Sequence, residues 1–307
     1  MIVTLGQAYS FHQLGQRSNQ EDARYPDSDK PSIKQRFFVV CDGVGGSRNG
    51  EVASTTVCES LSKEFAKIDF SKDFTNQEFS KVLGIAYEAL DNEVKNGDDD
   101  MATTMTCAVF HGGGATLAHI GDSRIYQIRP SQGVIYRSDD HSLVNQMIHS
   151  GIITPDEAVN HPQRNIITRC MEPQLGSDDN RHMATVMRTC DIKPDDYFFL
   201  CTDGVLDSLS EELMISIITD DTTCEAKNEM IASASKNSRD NNTAILIPVV
   251  SVEEDDDSPT LSKEQNNTLR YVKGVQSIEE VEPVIAIRKD DTFSTIMNKI
   301  EKLFKFS

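Results

Sequence analysis

Short apolar runs bounded by Gly, Asp or Pro punctuate roughly the first 250 residues. Between them lie longer stretches whose apolar positions recur every three or four residues. The runs at 37–40 (FFVV), 104–110 (TMTCAVF), 115–120 (ATLAHI), 124–129 (RIYQIR), 197–201 (YFFLC) and 243–250 (TAILIPVV) are rich in Val, Ile, Thr and aromatics, and are predicted as strands. Gly112, Gly113 and Gly114 separate two of them and predict a hairpin turn. Helices are predicted over 50–66, 76–95, 142–150, 210–219 and 223–235. In the second of these, Phe79, Val82, Leu83, Ala86 and Leu90 share one face. Consecutive strands between long helices imply helix-covered sheets with many antiparallel neighbours.

After Val250 the texture changes. Residues 251–267 (SVEEDDDSPTLSKEQNN) are acidic and polar and read as a linker, dividing a domain at 1–250 from a tail at 268–307. Within the tail, Phe293, Ile296, Met297, Ile300, Leu303 and Phe304 predict an amphipathic helix over 292–306, with Asp290 and Asp291 near its positive N-terminal end. Such a helix could dock on the domain itself or on a partner such as a kinase. Lys299, Lys302 and Lys305 also allow a membrane surface, against which the acidic linker argues. No internal repeat is present.

Length allows one large domain with an appendage, or two modest domains. A net charge of −19 makes nucleic acid a poor partner, because backbone binding needs clustered Lys and Arg. The seven scattered cysteines contain no Cys-x-x-Cys pair and read as free thiols in a reducing compartment. No apolar leader follows a basic start, and no run of about 18 apolar residues suggests a membrane span. A cytoplasmic location is the expectation.

The chemistry lies in the acids. Three apolar runs end at Asp42-Gly43, Asp122 and Asp203-Gly204; Asp240 precedes a strand, and Glu21 and Asp22 lie early. Asp-Gly by itself is a common turn, but strand ends are where a rigid frame presents ligands. Each pair of like charges about 4 Å apart costs roughly 4 kcal/mol at an effective dielectric of 20. Several such pairs would rival the whole stability of a domain, about 5–15 kcal/mol. Either the acids are spread apart, or they hold hard cations. Carboxylates and carbonyls without neighbouring Cys or His suit Mg²⁺ or Mn²⁺ rather than Zn²⁺. Glycine after the aspartate leaves room for a carbonyl beside a metal. Two such ions and an arginine would serve phosphate monoester hydrolysis, among the slowest of uncatalysed reactions.

In order, the chain carries R-x-x-x-E-D (Arg17, Glu21, Asp22), DGVGG (42–46), ATTM (102–105), GDSR (121–124), TDG (202–204) and DNNT (240–243). This series resembles the type 2C metal-dependent protein serine/threonine phosphatases over residues 4–250. The stretch from Asp140 to Met171 is similar to the flap region of bacterial members. The resemblance implies an α+β fold, a four-layer α-β-β-α sandwich of two antiparallel sheets flanked by helices. It implies phosphoserine/phosphothreonine hydrolysis by direct attack of a water activated by two metals. Asp42, Asp203 and Asp240 are the implied catalytic acids, Asp42 bridging two ions, Asp203 and Asp240 completing one site, and the Gly43 carbonyl serving the other. Asp22, with Glu21, would bind directly or through water, Asp122 would hold a third ion, and Arg17 would bind the substrate phosphate. Phosphoproteins and a serine/threonine kinase pathway are the implied partners.

Val44 stands where animal members carry a histidine proposed as general acid; a water on the metal is the preferred candidate instead. GVGGSRNG lacks the pattern of a nucleotide-binding loop. The seven histidines have no metal-ligand spacing, and only His141, near the flap, merits a test. The alternatives are a phosphatase dedicated to one regulatory phosphoprotein and a catalytically silent binding module of the same fold.

Overall fold

The computed structural model describes residues 1–44, 47–94, 99–174 and 181–253, and the backbone of 265–269. Two antiparallel sheets form its centre. The first has the order β1 (Ile2–Leu5), β11 (Asn242–Glu253), β10 (Tyr197–Cys201), β7 (Arg124–Arg129), β8 (Gly133–Arg137), with β2 (Tyr9–Gln13) also paired to β11. The second runs β12 (Gln265–Leu269), β9 (Ala184–Thr189), β6 (Gly114–Ile120), β5 (Met105–His111), β4 (Phe37–Asp42), β3 (Asp22–Tyr25).

Period-two alternation builds the layers. On β4, Phe38 and Val40 turn to an inter-sheet core shared with Phe110, Leu117, Phe198, Leu200 and Ile245. Phe37, Val39 and Cys41 face the other way, under α1 (Gly50–Phe65) and α2 (Asn76–Glu93). On β10, Phe199 and Cys201 face α5 (Asp203–Ser208), α6 (Glu211–Thr219) and α7 (Cys224–Ser235). Both faces of these central strands are buried, so they read as continuous apolar runs. The expected four-layer sandwich is the observed fold.

Helix ends follow local chemistry. α2 opens on a capping box in which the Thr75 hydroxyl accepts from the Glu78 amide and the Glu78 carboxylate accepts from the Thr75 amide. The glycine hairpin is also present, with His111 opposite Gly114 across a two-residue turn. α3 (Leu143–His149) and α4 (Pro155–Val159) occupy the flap-like segment, where Leu143 and Met147 pack with Ile152 and Ile153 as a small cluster of their own.

Several elements differ from the sequence reading. β11 runs to Glu253, three residues past the boundary at 250, because β1 pairs with its second half. β12 falls across the expected linker and tail, its backbone pairing with β9 so that Gln265 lies opposite Arg188. The amphipathic helix expected over 292–306 lies outside the described residues. β3 and β8 carry too few buried positions for periodicity to reveal them. Among the described residues no two cysteines form a disulfide.

Phe198 is fully buried between the sheets, its ring centroid 4.9 Å from that of Phe110 and nearly perpendicular to it. Phe198→Ala is expected to destabilise the protein by about 3–5 kcal/mol, measured as a drop in the urea midpoint at unchanged slope. A loss below about 1 kcal/mol would mean that the sheets do not pack through this residue.

Candidate active site

The acids arrive at one end of the sandwich from both sheets. β4 ends at Asp42 and its partner β3 begins at Asp22, which lies directly opposite it. Asp122 sits in the turn that carries the chain from β6 in the second sheet to β7 in the first. Asp203 opens α5 just after β10, and Asp240 lies two residues before β11. Residues more than 200 positions apart thus share one rim.

The two Asp-Gly steps have a packing reason beyond carbonyl access. A Cβ on Gly43 would lie 2.6 Å from the Gly50 carbonyl and 2.8 Å from the Glu21 carbonyl oxygen. On Gly204 it would lie 2.0 Å from the Asn241 carbonyl oxygen. Each glycine therefore lets one acid-bearing loop press against the backbone of another.

Hydroxyls hold the arrangement. Asp22 Oδ2 accepts hydrogen bonds from Thr243 Oγ1 at 2.6 Å and Thr202 Oγ1 at 3.1 Å, while Thr202 Oγ1 accepts from the Thr243 amide at 3.0 Å. Thr104 Oγ1 accepts from the Asp42 amide at 3.0 Å and lies 2.7 Å from Ser123 Oγ, tying Asp42 to the Asp122 turn. Asn241 Oδ1 accepts from the Glu21 amide, and its Nδ2 donates to the carbonyls of Leu14 and Asn19. The Glu21 carbonyl in turn accepts from the Gly43 amide and the Ser54 hydroxyl. The sequence reading missed Thr104, Thr202, Asn241 and Thr243, although each sits within a motif it had singled out.

Electrostatics marks the acids as one group. Burial holds Asp42 well above the usual carboxylate range, and Asp22, Asp203, Asp122 and Asp240 push it further. Burial also raises Asp122, with Asp203 and Asp140 adding to it. Asp203 is raised by burial and then by Asp240. Asp22 is pushed up to about 7 by burial, against the pull of its two threonine bonds. Glu21 is raised by burial, with Asp240 and Glu51 contributing. Asp42 and Asp122 keep some accessible surface and Asp203 is exposed, yet dense protein surrounds all three. A narrow cleft gives that combination, and its low polarizability penalises their charge. Arg17 joins the group at the mouth, Nη2 donating to Asp240 Oδ2 at 2.6 Å with both side chains partly exposed.

The donor set fits divalent cations. Asp22 Oδ1 is buried and has no hydrogen-bond partner among the described residues, an expensive state for a carboxylate oxygen. Among the described residues no three His, Cys, Asp or Glu side chains close on a point as a ready-made metal site. The oxygen donors of the site, carboxylates and carbonyls, are of the kind that suits Mg²⁺ or Mn²⁺.

Acids from both antiparallel sheets gathered at one end of the sandwich, with an arginine beside them, are an arrangement suited to a metal-dependent phosphatase. Comparison with known proteins agrees. Residues 12–236 match the protein phosphatase 2C family. The chain is 32% identical over 231 residues to the protein phosphatase PhpP of Streptococcus pneumoniae, covering 72% of this chain and 87% of that protein. It is 28% identical over 251 residues to the serine/threonine protein phosphatase PstP of Mycobacterium tuberculosis, 80% of this chain but 45% of PstP. The crystal structure of the Mycobacterium tuberculosis phosphatase PstP/Ppp superposes with a TM-score of 0.67 at 26% identity, covering 82% of this chain and all (100%) of that one. The PstP catalytic domain in complex with two manganese ions gives a TM-score of 0.62 at 25% identity, covering 81% and 100% of the two chains. The chain belongs to the protein phosphatase 2C family.

Each raised acid binds its proton more tightly in the folded, metal-free protein than in the unfolded chain. The stability from this source is complete below the unfolded carboxylate value of about 4. It is lost as pH rises through the folded values, which for Asp22 is about 7. With chelator present, the melting temperature is therefore expected to fall as pH rises from 5 to about 8. Mn²⁺ should restore it more at the upper end, and Asp22→Asn should flatten the slope. A chelated protein equally stable across that window would contradict the shared pocket.

Proposed function

We propose that the chain hydrolyses phosphoserine and phosphothreonine monoesters of proteins at the end of the sandwich where Asp42, Asp203 and Asp240 meet. The observation that carries this reading is the convergence of five aspartates from both sheets on one cleft, with Arg17 beside them. Asp42 and Gly43 would serve two Mn²⁺ or Mg²⁺ ions, with Asp203 and Asp240 on one of them, Asp22 and Glu21 directly or through water, and Asp122 on a third. When bound, these ions would neutralise phosphoryl charge and make an attacking water more acidic.

The side chains do the rest. Arg17, partly exposed, can leave Asp240 for a phosphate, to which its fork can donate two hydrogen bonds. Thr202 and Thr243 keep Asp22 oriented, and Thr104 fixes the backbone of Asp42. Val44 supplies no acid; its amide donates to the Ala102 carbonyl. The leaving oxygen would take its proton from solvent in the cleft.

Retention of Arg17 and of the long flap-like segment supports an enzyme that accepts many phosphoproteins, opposing a serine/threonine kinase in the cytoplasm. Among the described residues no helix is long and apolar enough to cross a membrane. A phosphatase dedicated to one regulatory protein is the second reading.

Hydrolysis of an aryl phosphate and of unrelated phosphopeptides is expected with Mn²⁺ and should stop on chelation. Asp203→Asn is expected to lower kcat by about a hundredfold or more, as loss of one preorganised charge-stabilising group does elsewhere. Arg17→Ala should act mainly on KM for phosphopeptides. Inactivity on every phosphoester with both Mn²⁺ and Mg²⁺ would leave a silent binding module, and turnover of a single phosphoprotein alone would favour the dedicated enzyme.

A further inference from the structure

The flap-like segment and the Asp122 turn meet at His141. Its amide donates to the Gly121 carbonyl at 2.9 Å, and its ring Nδ1 lies 3.1 Å from the Gly121 amide. An amide can only donate, so Nδ1 is the acceptor and the ring proton sits on Nε2. Nε2 then donates to Thr185 Oγ1 on β9 at 2.9 Å. The His141 carbonyl accepts from the Thr168 amide at 2.7 Å, and the next residue, Ser142, bridges to Ile167. Both ends of the segment that carries α3 and α4 therefore close on this one residue.

The ring is further fixed from its face. His119 stacks on it with centroids 4.5 Å apart and planes 13° from parallel. Burial, together with His119, Arg169 and His182, pushes His141 far below the ordinary histidine range, in line with the neutral ring that its hydrogen bonds require. Gly121 has φ +104, a conformation costly for other residues, and a Cβ there would lie 2.6 Å from Thr104 Cγ2. The same Thr104 bonds the Asp42 amide. His141 thus grips Gly121 twice, its ring Nδ1 at the amide and its own backbone amide at the carbonyl, next to Asp122.

We propose that His141 is a positioning residue: its neutral imidazole locks the Gly121–Asp122 turn to the closing strands of the flap-like segment, so that flap position and the Asp122 carboxylate are mechanically coupled. This rests on the proposed phosphatase reading but can be tested without turnover. Groups in this supporting position typically change metal affinity or activity by about 10- to 100-fold when replaced.

The variants separate the two ring nitrogens. His141→Asn places an acceptor near Nδ1 and keeps the Gly121 bond; His141→Gln places its amide near Nε2 and loses that bond. Calorimetric titration of the metal-free protein with Mn²⁺ is expected to show the weakest site weakened about tenfold or more in His141→Gln. His141→Asn should remain near wild type, and the tighter sites should not change. Hydrogen exchange at the Gly121 amide should accelerate in His141→Gln alone. In turnover, kcat should fall with KM for phosphopeptide unchanged, and His141→Asn should recover it. Thr185→Val, which keeps the imidazole but removes the Thr185 hydroxyl from Nε2, covers the case in which the His141 variants do not fold; it should weaken the same Mn²⁺ site to a lesser degree. Equal Mn²⁺ binding by His141→Gln and wild type, or equal loss in His141→Asn and His141→Gln, would overturn the coupling. Failure of the phosphatase reading would instead show as inactive wild-type protein whose Mn²⁺ titration still responds to His141.

Discussion

Like-charge repulsion among carboxylates at one end of the sandwich is the constraint around which the molecule is built. Asp22, Asp42, Asp122 and Asp203 each lie where burial and neighbouring acids oppose ionisation. At an effective dielectric of 20, one such pair at close range costs roughly 4 kcal/mol. A domain with about 5–15 kcal/mol of net stability can tolerate that only with a rigid frame and with protons or cations to relieve the charge. The thick apolar centre, with Phe38, Phe110, Phe198 and Leu200 fully buried between the sheets, supplies the frame.

The frame is made specific by small polar contacts. Asp22 stands in the second sheet, while Thr202 follows β10 and Thr243 lies in β11 of the first, so their hydrogen bonds join the sheets across the site. Thr104 and Ser123 make a similar link between Asp42 and the Asp122 turn. Gly43 and Gly204 allow the approach that these bonds need. A second layer surrounds them: Arg124 grips Asp140 through a two-point fork at 2.7 Å and reaches Glu211 on α6. GDSR and the stretch beginning at Asp140 are thus tied to each other beside Asp122.

How much of this could be read from the chain differs by element. Central strands such as YFFLC are buried on both faces, so their apolar runs are continuous and easily seen. α2 carries a clean apolar face and a capping box, and its ends fell within two residues of expectation. β8, with no buried position, and β3, whose buried residue is Asp22, have no apolar signature at all. β1 is legible only as a partner of β11, and that pairing also extends β11 past the expected boundary.

Residue types and their order singled out the candidate acids: Asp42, Asp203 and Asp240 follow or precede strands, and glycine beside two of them implied room for a carbonyl beside a metal. Chain order cannot say that Asp22 faces Asp42 across a strand pair, that two threonines 41 positions apart share one carboxylate oxygen, or that His141 holds Gly121. Those depend on register and on how two sheets stack, and both are set by the packing of many apolar side chains at once. Local pattern determined which groups could act; only the assembled sandwich decided which of them meet.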